Sequence, residues 1–315
     1  MDYFSNEDLA EELSDSNDSF TLNATFTDEI DYGVNYIAIP TVYFLLSAFG
    51  LSTNTLAFYI TLRYTKLSKT NNIYIFNLII ADILVMFGLV FTASQQIKLY
   101  WPFGSFLCKI VMTIDFINPL VSIFFIMVMS ISHCVSVYCP KKSPVCQRLA
   151  VAKRLSALTW LIASLFVLLV IIFADVDTLT GQCTIIWPEP GSLWDTTYTL
   201  CIFAMGFCIP ISVNGVTYLL LLVKAKKVAS STDPNSCQGA SGSKLMLGLW
   251  IVFILCWLPL NLLSVIDVIG GLPAELVKAY DMVVILAYAK SCINPIIYKF
   301  LSDDYKQGYK TVLGC

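Results

Sequence analysis

Apolar residues gather along this chain into seven blocks, at about 36–62, 73–97, 106–137, 155–174, 196–223, 245–266 and 276–298. Each is roughly 20 residues or longer, the length that carries an α-helix across the hydrocarbon core of a bilayer. Pro, Asn and Asp interrupt several blocks without ending them. No internal repeat of solenoid or inverted-transporter type is present. The pattern predicts an all-α membrane protein, a seven-transmembrane helix bundle.

Charge then orients the bundle. Arg63, Lys66 and Lys69 follow the first block, and Lys141, Lys142, Arg148, Lys153 and Arg154 lie between the third and fourth. Lys224, Lys226, Lys227 and Lys244 flank the loop between the fifth and sixth, while Lys299, Lys306 and Lys310 follow the seventh. Thus 15 of the 19 Lys and Arg fall on one side, which marks it as cytoplasmic. Lys98, Lys109 and Lys278 fall on the other, together with an N-terminus holding ten acids and no base. An odd number of spans and an outside N-terminus follow. Residues 1–35 have no basic n-region and no apolar h-region, so no cleaved signal peptide is evident. They form an acidic extracellular segment with glycosylation sequons at Asn17 and Asn23. Residues 36–300 form the membrane domain and 301–315 a cytoplasmic end.

Composition agrees with a membrane class: 57% of residues are hydrophobic and 13% charged, about half the charge of an ordinary soluble domain. Of 11 cysteines, Cys108 and Cys183 alone fall clearly at the oxidising outer face, where a disulfide between them is expected. No P-loop, G-x-S-x-G or H-E-x-x-H occurs and no cysteines have zinc-ligand spacing, so no enzyme and no metal centre is indicated. Two acids, Asp82 and Asp115, and one base, Lys290, lie deep within blocks. Such groups are expensive in a bilayer, about 2.5–3.5 kcal/mol each on insertion scales, and so face a bundle interior or a water-filled cavity.

At these residues the chain resembles the class A (rhodopsin-like) G-protein-coupled receptors, and most of all the somatostatin receptors, with opioid and neuropeptide B/W receptors next. The segments that carry the likeness are RYTKLSKTNNIYIFNLIIAD (63–82), WPFGSFLCKIVMTIDFIN (101–118), CTIIWPE (183–189), CWLP (256–259), YAKSCINPIIY (288–298) and FLSDDYKQGYKTVL (300–313). The resemblance marks Asn54, Asp82, Trp160, Pro210, Trp257, Pro259 and Pro295 as landmarks of the spans. It assigns Asp115 as the carboxylate that pairs with a ligand cation, in a pocket with Phe116, Trp257, Asn261, Ser264 and Tyr288. It makes Tyr218 and Tyr298 tyrosines that swing inward on activation. The partners implied are an extracellular peptide ligand, a heterotrimeric G protein of Gi/o type and membrane lipid, with no nucleic acid. The location implied is the plasma membrane, as a multi-pass protein.

Several positions depart from that pattern. Pro119 stands one turn below Asp115, removes the hydrogen bond to its carbonyl and is expected to kink the helix. Leu260 and Asn261 follow CWLP in place of aromatic residues. Ser132, His133 and Cys134 occupy the place of the family's Asp-Arg-Tyr, and His133 is the only histidine of the chain. Histidine is shorter than arginine and only partly charged near neutral pH. The reading is a somatostatin-receptor-like peptide receptor with altered, partly ligand-independent signalling, the pattern of a rapidly diverged copy such as a captured viral receptor. A ligand-binding decoy that does not signal is the main alternative. A chemokine-type receptor is another, on the acid-flanked Tyr3 and Tyr32.

In receptors of this family the aspartate matching Asp82 binds sodium with polar groups matching Asn118, Ser122 and Asn294. Here Lys290 faces that site, so an Asp82–Lys290 salt bridge is expected in place of sodium, and no other cofactor. A retinal-bearing lysine would lie seven residues before the proline, whereas Lys290 lies five before Pro295; two residues rotate a helix by about 200°, which argues against a photoreceptor. Beyond the last span, Leu301, Tyr305, Tyr309, Val312 and Leu313 recur at helical spacing, predicting a short amphipathic helix on the inner membrane face, with Cys315 a candidate for palmitoylation.

Overall fold

A computed structural model describes residues 37–139, 144, 148–229 and 240–314. The sequons at Asn17 and Asn23, the acidic N-terminus with Tyr3 and Tyr32, and Cys315 lie outside the described residues. Each apolar block is helical: α1 (Ile37–Tyr64), α2 (Thr70–Lys98), α3 (Gly104–Tyr138) and α4 (Leu149–Phe166), with α4 continued past Val167 by α5 (Leu168–Phe173). The fifth span is α6 (Gly191–Cys201), a π-helical segment (Ile202–Cys208) and α7 (Ile209–Ala229) end to end. The sixth and seventh are α8 (Ala240–Gly270) and α9 (Ala274–Leu301), and α10 (Asp303–Leu313) follows. Six spans among the described residues are long and apolar enough to cross a membrane. The seventh, α9, carries Lys290, Ser291 and Asn294 in its buried middle.

Backbone physics explains the all-helical outcome, since hydrocarbon offers N–H and C=O groups no partner outside the helix. The helices then pack on small and polar residues. Ala57, Ala81, Ala93, Ala152, Ala163 and Ser47 are buried, whereas Leu62, Phe87, Leu165, Leu219 and Leu255 point outward as lipid-facing groups do. Central in the bundle is α3, which touches α2, α4, α7 and α8. Trp160 Nε1 donates to Asn77 Oδ1 at 2.9 Å, joining α4 to α2. Asn54 Nδ2 donates to the Ser291 carbonyl at 2.9 Å, joining α1 to α9.

As the block pattern expects, α3 stays helical from Gly104 to Tyr138 through Pro119. Two local outcomes differ from that pattern. The fourth span breaks at Val167, and the fifth contains the π turn, which ends just before Pro210. Proline has no N–H for the carbonyl four residues back, and a wider turn accommodates the lost bond. At Gly206, inside that turn, a Cβ would lie 2.5 Å from Leu120 Cδ2, so glycine lets the π segment approach α3.

Outside the bundle, β1 (Ala174–Val176) and β2 (Cys183–Ile185) form an antiparallel hairpin with Val176 opposite Cys183. The expected disulfide, Cys108–Cys183, ties this hairpin to the top of α3. Cys183 N–H donates to Gln95 Oε1 at 2.9 Å, and Lys109 Nζ donates to the carbonyls of Ala174 (2.6 Å) and Ile172 (3.1 Å). The hairpin is therefore held from α2 and α3 together.

At the C-terminal end α10 is amphipathic as expected, but it starts at Asp303, because Leu301 still belongs to α9. Its aromatic face turns into the protein: Tyr305 and Tyr309 are buried. The hydroxyls of Tyr305 and Thr61 share a 2.7 Å hydrogen bond. Asp304 accepts from Lys69 Nζ at 2.6 Å and from Asn72 Nδ2 at 2.9 Å.

Candidate functional site

Three polar places line the axis of the bundle. The outermost is a cavity of about 350 Å³ between α3, α6 with its π turn, α8 and α9, roofed in part by Ile185 and Trp187. Asp115, Phe116, Trp257, Asn261, Ser264 and Tyr288 all line it, so one chamber gathers every residue assigned to the ligand pocket. Its wall is otherwise apolar, as ligand pockets usually are. Two buried polar atoms on this wall have no hydrogen-bond partner: Asp115 Oδ1, an acceptor, and Trp257 Nε1, a donor. Buried groups of this kind are ordinarily satisfied, and orphans in a cavity wall mark places for a ligand or water to bind. Tyr288 faces the same carboxyl from α9. Asn261 is partly committed elsewhere, since its Nδ2 donates to the Trp257 carbonyl at 2.8 Å. Trp257 stacks on Phe253, and Phe253 meets Phe207 at 6.1 Å, giving the cavity an aromatic floor.

Beneath that floor lies the second place. Lys290 Nζ sits 2.9 Å from Asp82 Oδ1 and 2.7 Å from Ser122 Oγ, with Asn118 Oδ1 at 3.4 Å. Asp82 Oδ1 also accepts from Asn118 Nδ2 (3.2 Å) and Ser291 Oγ (2.7 Å), and Asp82 Oδ2 accepts from Asn294 Nδ2 (2.7 Å). Lys290 is 1% exposed and Asp82 0%, so this is an ion pair inside the protein. Desolvating both charges is costly, and only close pairing plus added hydrogen bonds offsets it. Each expected member, Asp82, Asn118, Ser122, Lys290 and Asn294, is in place. Ser291 had no signal in the sequence beyond being next to Lys290. Asn118 and Ser291 also line the cavity above, so the cavity and the ion-pair cluster share two side chains.

The third place is at the opposite end of the bundle, the end that carries most of the basic residues. His133 Nε2 and Ser243 Oγ share a 2.8 Å hydrogen bond that joins α3 to α8. Ser132 and Cys134 flank His133 on α3, both within the described helix. Tyr218 lines a small cleft with Ser130, Ser243 and Met246. Tyr298 is fully buried, 5.5 Å from the Tyr305 ring, and its hydroxyl has no hydrogen-bond partner. Tyr298 is not among the residues of that cleft, so the two tyrosines lie apart.

Sequence reading missed Asp195. It stands one residue before the fifth apolar block, but α6 begins at Gly191 and carries it onto the cavity wall. Asp281, which falls inside the seventh apolar block, lies within α9.

Comparison with known proteins follows the same outline. Residues 53–298 match the family model described as 7 transmembrane receptor (rhodopsin family). Somatostatin receptor type 5 of Rattus norvegicus is 40% identical over 288 residues, covering 89% of this chain and 79% of that protein. Somatostatin receptor type 3 of Homo sapiens is 38% identical over 287 residues, 89% of this chain and 69% of its own length. Somatostatin receptor type 2 of Sus scrofa is 38% identical over 304 residues, 93% and 82% respectively.

Proposed function

Because the chain belongs to the rhodopsin family of seven-transmembrane receptors, signalling proteins rather than enzymes, we propose that it is a peptide receptor in which Asp115 anchors a cationic group of the ligand. The observation that carries this reading is the orphaned, buried Asp115 Oδ1 in the wall of the outer cavity. A carboxylate in a low-dielectric chamber attracts an ammonium strongly. In this reading the N-terminus is extracellular, with sugars on Asn17 and Asn23, and the chain lies in the plasma membrane with a lipid anchor at Cys315. Asp115→Asn is expected to weaken a cationic ligand by about 2–5 kcal/mol, the range for truncating one side of a buried charge pair. Competition binding on membranes measures it, and equal affinity in the variant places the cation elsewhere.

The cytoplasmic partner in this reading is a heterotrimeric G protein of Gi/o type, engaged with altered, partly ligand-independent output. The support is the chemistry of the joint between α3 and α8. Hydrogen bonds between uncharged groups contribute about 0.5–1.5 kcal/mol and bonds to charged groups about 1.5–3 kcal/mol, and His133, unlike the arginine it replaces, is not permanently charged where it meets Ser243. A weaker joint restrains the inactive arrangement less. Basal G-protein activation in cells, with His133→Arg alongside, is the test. High basal output that falls in the variant supports the reading. No output, basal or ligand-evoked, favours the ligand-binding decoy, which the Ser132-His133-Cys134 replacement also suits.

Sodium has no role in this reading, because the Lys290 ammonium supplies the charge at Asp82. Both carboxylate oxygens of Asp82 are already taken by side chains of this chain. Basal signalling and ligand binding are expected to stay flat across a sodium titration, and Lys290→Asn is expected to introduce a sodium response. A sodium response in the natural chain, or none in the variant, defeats the idea.

A further inference from the structure

The outer cavity has a second carboxylate on its wall. Asp195 lies near the start of α6, and its Oδ1 accepts the indole N–H of Trp187 at 3.1 Å. The Trp187 ring packs in turn on Tyr198, with centroids 5.3 Å apart, and on Phe173, at 5.9 Å. The hydrogen bond and these ring contacts hold the indole beside the carboxylate. Among the described residues that line the cavity, Asp115 and Asp195 are the ionisable acids and none is Lys, Arg or His. Of the bases on that side, Lys109 is turned to the hairpin carbonyls of Ile172 and Ala174 and to Asp175. Two carboxylates therefore share one largely apolar chamber with no cation from the protein on its wall.

Depth separates them. Measured from the helix starts at 1.5 Å per residue, Asp115 lies about 16 Å along α3 and Asp195 about 6 Å along α6. One acid is deep, with Tyr288 facing it and its Oδ1 unpartnered. The other is near the mouth, paired with the N–H of an indole that also lines the cavity, and aromatic rings attract cations.

We propose that Asp195 and Trp187 form a second cation subsite, so that the cavity selects ligands carrying two cationic groups, one at Asp115 and one at the mouth. This rests on the reading of Asp115 as the deep anchor and adds the class of ligand: a peptide with two basic groups, an ammonium below and an ammonium or guanidinium above. The alternative role for Asp195 is to orient Trp187 without touching ligand. Asp195→Asn separates the two, because the amide oxygen still accepts the indole N–H while the charge is lost.

The test uses purified full-length receptor and needs no natural ligand. The probes are an arylalkyl monoamine, a series of bis-amines with graded spacers, and the corresponding neutral diols, read by ligand-induced thermal stabilisation and titrated for apparent affinity. The expected result is that a bis-amine of matching spacer binds on the order of tenfold more tightly than the monoamine, the scale of one partly exposed ion pair with a cation–π contact. Asp195→Asn should bring the bis-amine down to the monoamine's affinity while leaving the monoamine unchanged, and Asp195→Glu should keep the preference. A bis-amine advantage that survives in Asp195→Asn, or no bis-amine advantage in the natural protein, overturns the second subsite and leaves Asp115 standing. Loss of all amine binding in Asp115→Asn is expected. If the natural protein binds neither amine, or if Asp115→Asn binds both unchanged, the deep anchor itself is wrong and the second subsite falls with it.

Discussion

At the scale of single residues, Lys290 makes the sharpest energetic statement in the molecule. Its ammonium meets Asp82, Ser122 and Asn118 at full burial, so each charge is tolerable only because the other is present. Lys290→Met should leave the Asp82 carboxylate buried without its cation and destabilise the fold by about 3–5 kcal/mol. Asp82→Asn combined with Lys290→Met should recover much of that loss. Thermal unfolding in detergent compares the two, and a double variant no better than the single would show that the pair is not what stabilises the cluster. The sequence exposed both charges, since an acid and a base stand out in apolar blocks. It could not show Ser291, whose hydroxyl is ordinary until α9 is rotated against α2.

At the scale of elements, α10 shows how a short helix is fixed in place. Gly308 faces α1 so closely that a Cβ would lie 2.5 Å from Ile60 Cγ2 and 3.2 Å from Tyr64 Cβ. Gly308→Val should therefore loosen α10 by about 1–3 kcal/mol through overpacking, seen as faster hydrogen exchange confined to residues 303–313. Asp304 supplies a pH dependence. Burial pushes its carboxyl up, but the hydrogen bonds from Lys69 and Asn72 outweigh that and hold it below the ordinary value of 3.8. A depressed folded value stabilises docking above pH 3.8, and the contribution is lost as pH falls through the folded value. Exchange protection of α10 should hold at neutral pH and drop only below about pH 4; Asp304→Asn should remove that step. Helical periodicity made the existence of α10 legible. That Tyr305 and Tyr309 turn to protein follows from where the α1–α2 turn lies, which periodicity does not encode.

At the scale of the whole molecule, the Cys108–Cys183 bond joins the hairpin over the cavity to α3 across 75 residues of chain. Cys108→Ser or Cys183→Ser should lower surface expression and free the hairpin, as cell-surface labelling and thiol labelling measure. Unchanged expression with both thiols accessible in the natural protein would contradict the outer-face assignment. The sequence by itself determined the spans, the side that carries the basic residues and the cysteine pair, because hydrophobicity, charge asymmetry and loop position are properties of segments and survive without coordinates. Tertiary structure alone decided which polar groups meet: His133 with Ser243, Tyr305 with Thr61, Ser291 with Asp82, and Asp195 with Trp187 on a shared cavity wall. Most of these pairs join residues more than 100 positions apart, and whether they touch depends on the rotation and depth of one helix against another. Even the nearest, Asp195 and Trp187, required α6 to begin ahead of the apolar block. Packing sets those degrees of freedom, through contacts that a one-dimensional pattern does not carry.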